Sequence, residues 1–275
     1  MKHSIILKIS RTKIREAEKK EFREALAFTI LIYKLNPNTI FTITREELGK
    51  QLHMSSRKVN SLLDAAQTFS LIRYDKDTCR MQRFKLSSSR HNFKLDPDKL
   101  TSFTSCVHWI IKCILLEKFD FMKYVHLLYK YKHNPDGKGK KVFELCKQAK
   151  KILKHSKFSA YNYFGSSYEW MAKKVGVSKS TIRSIIREMI AEGLIISKPN
   201  YKEIKCEDVE ITQYGLFLLN QERVNHERIS DKNFNKTHYQ KGYFRFIKGK
   251  LYLQLANYYD VVDTSILPKK NNFDE

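Results

Sequence analysis

Two segments of the 275-residue chain, Thr44–Ile72 and Ser167–Ile195, repeat one order of caps and apolar positions at a constant offset of 123. Such a repeat fixes more than any single motif, because both copies must bury the same faces of the same elements. Thr44 and Ser167 have hydroxyls suited to capping a helix, and Glu47, three residues after Thr44, completes a capping box. Leu48 and Leu52 correspond to Met171 and Val175, each pair on one face of a short helix, with the small residues Gly49 and Ala172 beside them. A break follows, His53-Met54-Ser55 in one copy and Gly176-Val177-Ser178 in the other. Glycine is the usual residue at a left-handed helix end, and the serine can cap the next helix. That helix has Val59, Leu62, Leu63 and Ala66 in the first copy, matched by Ile182, Ile185, Ile186 and Met189, at the spacing of one buried face.

Each copy continues into a β-like run, Leu71–Tyr74 and Leu194–Ser197, the latter reached through Gly193. A polar tip and a returning strand are predicted after each, at 81–86 and 209–211. Helices are predicted ahead of the copies at Glu16–Leu35 and Val142–His155, with strand-like bridges at Thr39–Thr42 and Tyr161–Phe164. This order resembles the winged helix-turn-helix. Residues Tyr168–Ile182 are similar to the helix-turn-helix consensus, and Ile211-Thr212-Gln213-Tyr214-Gly215 resembles the sequence that closes the wing of MarR-like regulators. The first copy is the weaker likeness, since His53 stands where the turn glycine is expected. The tandem arrangement is also similar to that of plasmid and phage replication initiators.

The resemblance implies that the second helix of each motif enters the major groove with its N-terminal residues at base edges. By position it assigns Ser178, Lys179, Ser180, Thr181, Arg183, Ser184 and Arg187 to the DNA-facing surface of the second copy. In the first copy the matching residues are Ser55, Ser56, Arg57, Lys58, Asn60 and Ser61. Arg183 suits bidentate recognition of guanine and Asn60 that of adenine. Ser178, Lys179 and Ser180 suit phosphates. Lys198 and Lys202, in the hairpin after the second copy, join the set. A merely solvated polar face, or a protein-docking surface, is the competing reading of these residues.

Charge favours nucleic acid. The formal net charge is +23 and the isoelectric point about 9.7, while 42% apolar and 12% aromatic content leaves ample material for a core. Eleven lysines and only Asp136 and Glu144 as acids lie between Lys123 and Lys157. Clustered cations release counterions from a phosphate backbone, so binding should weaken steeply with salt.

Outside the repeats, Leu100, Phe103, Val107, Ile110, Ile111, Ile114 and Leu115, continued by Phe119, Met122, Val125, Leu128 and Tyr129, follow helical spacing. They predict a helical connector that packs within the chain, with a homodimer interface as the alternative. The expected fold is mainly α, of the α+β class, with two winged helix-turn-helix domains joined by that connector. The expected boundaries are 1–95, 96–140, 141–220 and a basic, aromatic C-terminal extension at 221–275. Tyr243–Phe246 and Tyr252–Tyr259 in the extension, interleaved with Arg245, Lys248 and Lys250, read as a small packed appendage or a nucleic-acid clamp.

No catalytic reading emerges. The chain has no nucleophile elbow, metalloprotease helix or Walker sequence, and Asn134–Lys141 reads as a turn that lacks the phosphate-loop pattern. His108 and His126 sit among apolar residues and read as core or interface histidines. The five cysteines are irregularly spaced and predict free thiols, with no cofactor or metal. No apolar run approaches membrane-spanning length and Ile5-Ile6-Leu7 is too short for a secretory signal, which predicts a cytoplasmic protein with no membrane partner. The expected function is sequence-specific binding of double-stranded DNA by a transcriptional regulator. The alternatives are a replication initiator bound to origin repeats, and a non-enzymatic interaction or architectural protein.

Overall fold

The structure, a computed structural model, describes residues 6–88, 91–132, 166–204, 243–247, 250–263 and 265–267. It is a mixed helix-and-strand fold of the α+β class. The chain divides into two compact units, the first comprising Met1–Phe119, Tyr168–Ile195 and Val261–Glu275 and the second Asp120–Ser167 and Ile196–Asp260. The predicted helix at 142–155, the bridge at 161–164, the wing closure at 211–215 and most of the lysine cluster lie outside the described residues.

In the first unit, strand β1 (Leu7–Ser10) leads into helix α1 (Arg11–Glu16), capped by the Ser10 hydroxyl. Helix α2 (Lys20–Leu35) follows. The sequence reads one helix over 16–35, and the structure divides it: the Glu18 and Lys19 amides turn back to the Arg15 and Glu16 carbonyls and close the first helix. The break frees the Ala17 and Glu18 carbonyls, and the buried Arg23 guanidinium donates to both, at 3.1 and 3.3 Å.

Strand β2 (Ile40–Thr42), helices α3 (Arg45–Leu52) and α4 (Ser56–Thr68), and strands β3 (Ile72–Tyr74) and β4 (Arg80–Arg83) come next. The strands form an antiparallel sheet in the order β2-β4-β3, with Phe41 and Tyr74 both in register with Met81. Val59, Leu62, Leu63 and Ala66 of α4 are all buried, as their spacing predicts. Leu48 is buried while Leu52 is only half-buried. Strand β5 (Asn92–Leu95) pairs antiparallel with β1.

Helix α5 (Phe103–Lys132) is one 30-residue helix over the residues whose spacing predicts helix. Seven consecutive residues, Ile110–Leu116, are buried, so this stretch is covered on every side and not along one stripe. Helices α6 (Tyr168–Val175) and α7 (Lys179–Ala191) complete the unit, and Ile182, Ile185, Ile186 and Met189 of α7 are fully buried. Arg23 Nη1 donates at 2.8 Å to the Val175 carbonyl at the end of α6, joining residues 152 apart in sequence.

The repeat extends to the backbone. The Met54 amide donates to Gly49 O and the Val177 amide to Ala172 O; the Leu71 amide donates to Ala66 O and the Leu194 amide to Met189 O. Each of these turns places one residue at positive φ: His53 (52°) and Ser70 (53°) in the first copy, Gly176 (69°) and Gly193 (71°) in the second. A side chain in that region costs about 1–2 kcal/mol, partly offset by the freedom glycine loses on folding. We expect Gly176→Ala and Gly193→Ala each to lose about 1 kcal/mol. His53→Gly and Ser70→Gly should each gain about 0.5 kcal/mol, measured by chemical denaturation.

The capping box at Thr44 forms: the Thr44 hydroxyl accepts from the Glu47 amide, and the Glu47 carboxylate accepts from the Thr44 amide and hydroxyl. Those bonds, the backbone one foremost, hold the Glu47 carboxyl below its ordinary pKa, and the Thr78 hydroxyl and Asp77 amide do the same for Asp75. Both groups have depressed folded values, so the stability they confer is present above the ordinary carboxylate range and lost as pH falls through the folded values. Thr44→Ala should cost about 1 kcal/mol at neutral pH, and its denaturation midpoint should fall less between pH 6 and pH 3 than that of the parent chain.

In the second unit, β6 (Ile195–Ile204, from its second residue), β7 (Tyr243–Ile247) and β8 (Lys250–Val261, to Asp260) form a sheet in the order β6-β8-β7. The predicted returning strand at 209–211 lies outside the described residues; the strand beside β6 comes from the C-terminal extension. Tyr243 is in register with Gln254 and Ile247 with Lys250.

Candidate nucleic-acid interface

Helix α7 begins with a built cap. Ser178 Oγ accepts from the Thr181 amide at 3.0 Å and lies 2.7 Å from Ser180 Oγ and 2.8 Å from Thr181 Oγ1, so the three hydroxyls form one cluster at the helix start. Free amides and the dipole at this end favour an anion. Because the buried face takes Ile182, Ile185, Ile186 and Met189, the intervening Lys179, Arg183, Ser184 and Arg187 are exposed. Lys179, Arg183 and Arg187 fall at i, i+4 and i+8, a stripe of three cations along two turns, with no ion pair among the described residues. The Arg183 guanidinium sits 5.9 Å from the centre of the Tyr168 ring, which holds it over the start of α6. Ser184 Oγ donates to Glu188 Oε1 at 3.3 Å.

Helix α4 is arranged differently. Ser55 caps it through the Lys58 amide, and Ser56, Arg57 and Ser61 are exposed. Lys58 is engaged within the chain: its ammonium pairs with Glu24 at 3.3 Å and lies 5.2 Å from the Phe103 ring centre. Asn60 also has a partner within the chain, its Oδ1 accepting from Arg45 Nη1 at 2.9 Å, and Arg45 lies over the Tyr74 ring. Of the cations assigned to this surface, only Arg57 points to solvent without an ion pair among the described residues.

Comparison with family models, curated proteins and solved structures gave no match.

The hairpins add cations that motif reasoning passes over. Arg73, Lys76 and Arg80 are exposed on β3, the tip and β4, and the alternation of buried Ile72, Tyr74 and Met81 with these residues is the signal that finds them. Arg83, at the end of β4, is instead buried: its guanidinium stacks 3.9 Å from the Tyr33 ring centre and donates to the Asn38 carbonyl. Lys198 pairs with Asp260 across the second unit's sheet. The side chains of Lys202 and Arg245, and all of Lys248, lie outside the described residues.

Ion pairs also join the rear of α7 to α5. The Lys112 ammonium on α5, nine-tenths buried, pairs with Glu192 at 2.7 Å and Glu188 at 3.2 Å, and His108 Nδ1 stands 3.8 Å from Glu188. Further along α5, Lys118 pairs with Glu18 at 3.0 Å, and burial is the main cause lowering its pKa, Glu18 opposing it. Among the described residues, no group of three or more His, Cys, Asp or Glu side chains is placed to hold a metal ion, and no helix is long and apolar enough to cross a membrane.

Proposed function

We propose that the chain is a sequence-specific double-stranded-DNA-binding protein built on two winged helix-turn-helix units, and that it acts as a transcriptional regulator. The observation that carries this reading is the stripe of Lys179, Arg183 and Arg187 on a hydroxyl-capped helix that follows a tight left-handed turn. A helix of that kind offers amides and hydroxyls to a phosphate at its start and guanidinium groups to base edges along its side. The order α2, β2, α3, α4, β3, β4 and the β2-β4-β3 sheet support the same reading for the first copy, with Arg73, Lys76 and Arg80 as wing contacts to phosphates.

One observation favours a second reading, a replication initiator. The two helix-turn-helix motifs belong to one compact unit, joined by Arg23, yet α4 and α7 expose unlike faces. A single chain would then read two unlike sequences in fixed order, which suits tandem origin repeats better than a palindrome.

The test is selection of bound fragments from the source genome by the purified full chain at low and moderate salt, followed by footprinting. Enrichment of a promoter-proximal site supports the regulator, and direct repeats beside AT-rich DNA support the initiator. No enrichment at either salt overturns DNA recognition.

A further inference from the structure

A cavity of about 810 Å³ opens in the first unit between β5, α5, the rear of α7 and the segment after Val261. That volume lies within the range of small-molecule sites. Its wall combines apolar surface, from Leu95, Leu100 and Ile266, with the half-buried indole of Trp109. The charge on the α5–α7 side is unbalanced. Glu188 and Glu192 share the single ammonium of Lys112, which leaves one carboxylate charge in surplus beside a ligand-sized space. Asp96 and Asp263 also line the cavity, against Lys94 and Lys99, so the lining as a whole keeps that surplus in a chain of net charge +23. A surplus negative charge that lines the same ligand-sized space as an indole and apolar side chains is a setting that attracts a cation with an apolar body, since the charge gains a carboxylate and the body gains the ring.

We propose that this cavity binds a small organic cation, a primary amine or guanidinium bearing an aromatic or alkyl group, with its charge at Glu188 and Glu192 and its body against Trp109. The imidazole of His108 stands 3.8 Å from Glu188 on the same wall. The site lies on the helix that carries Arg183 and Arg187, but its occupancy can be read whether or not the chain binds DNA.

The test uses the full chain bearing Trp170→Phe, which leaves Trp109 as the one remaining indole of two. Phenethylamine is titrated and Trp109 emission is followed. The expected result is a saturable change, at least tenfold weaker in affinity when Glu192→Gln is added, and no comparable response to phenylacetate. Glutamine keeps the shape of glutamate, and an unchanged circular dichroism spectrum verifies the fold; Glu188→Gln serves if Glu192→Gln fails that check. Absence of saturation, equal affinity in the glutamine variant, or tighter binding of phenylacetate overturns the proposal.

Discussion

Arg23→Ala is expected to cost the first unit about 3 kcal/mol, lowering its thermal midpoint by roughly 6–12 °C. One Nη1 group donates to the carbonyls of Ala17, Glu18 and Val175, so truncation leaves three backbone acceptors without their charged donor. Hydrogen bonds to a charged group contribute about 1.5–3 kcal/mol each, but here three acceptors share two hydrogens, and removing the buried cation also relieves a desolvation cost. That cost is visible in the side chain itself: burial lowers the guanidinium pKa and Nε is buried without a partner. The net figure therefore falls well below the sum of three bonds. Arg23→Lys retains the charge without the fork and should recover only part of the loss. The location of the damage is the sharper test. Hydrogen exchange in Arg23→Ala should accelerate more at Ile182–Met189 of α7 than at Leu62 and Leu63 of α4, because one of the three Arg23 bonds, that to Val175, reaches α6. Equal acceleration in both would show that Arg23 supports the α1–α2 corner alone.

Replacing Lys179, Arg183 and Arg187 together by alanine is expected to weaken DNA binding by about 10²–10³-fold near 0.1 M salt. Lys179 is the phosphate contact of the three, and its loss removes about 0.9 from the slope of log affinity against log salt, while the larger share of the lost affinity comes from the base-edge contacts of Arg183 and Arg187. These side chains are exposed, and stability should change by less than about 0.5 kcal/mol, which separates the effect from unfolding. Arg183→Ala alone should relax preference at one base pair by about 1–3 kcal/mol while leaving the rest of the site unchanged. Arg57→Ala, the comparable change on α4, should remove about one unit of slope. A triple variant with unchanged affinity and slope would mean that α7 does not meet DNA.

Much of the candidate interface is legible because its causes are local. Thr44, Ser55 and Ser178 cap within three residues of themselves, and the apolar spacing of α4 and α7 decides which face is buried. Lys58 and Asn60 show where such reasoning stops. Both lie on polar positions of α4, yet their partners, Glu24 and Arg45, come from elements that no spacing within the helix can name. The break at Ala17–Lys19 was illegible for the same reason, since the cation that takes up the freed carbonyls is also bonded to Val175.

The sequence by itself therefore determined the repeat: two helix pairs with their buried faces, the caps at Thr44, Ser55 and Ser178 and the glycine turns at Gly176 and Gly193, each set by hydrogen bonds and apolar periodicity within a few residues. Only the tertiary structure decided that α5 would be enclosed on every side over Ile110–Leu116, and that β6 would pair with a strand from the C-terminal extension. It also decided that Lys112 would leave two carboxylates sharing one charge beside a cavity. Those outcomes depend on which distant surfaces meet, and a chain written in one dimension specifies the donors and apolar atoms available without stating which of them become neighbours.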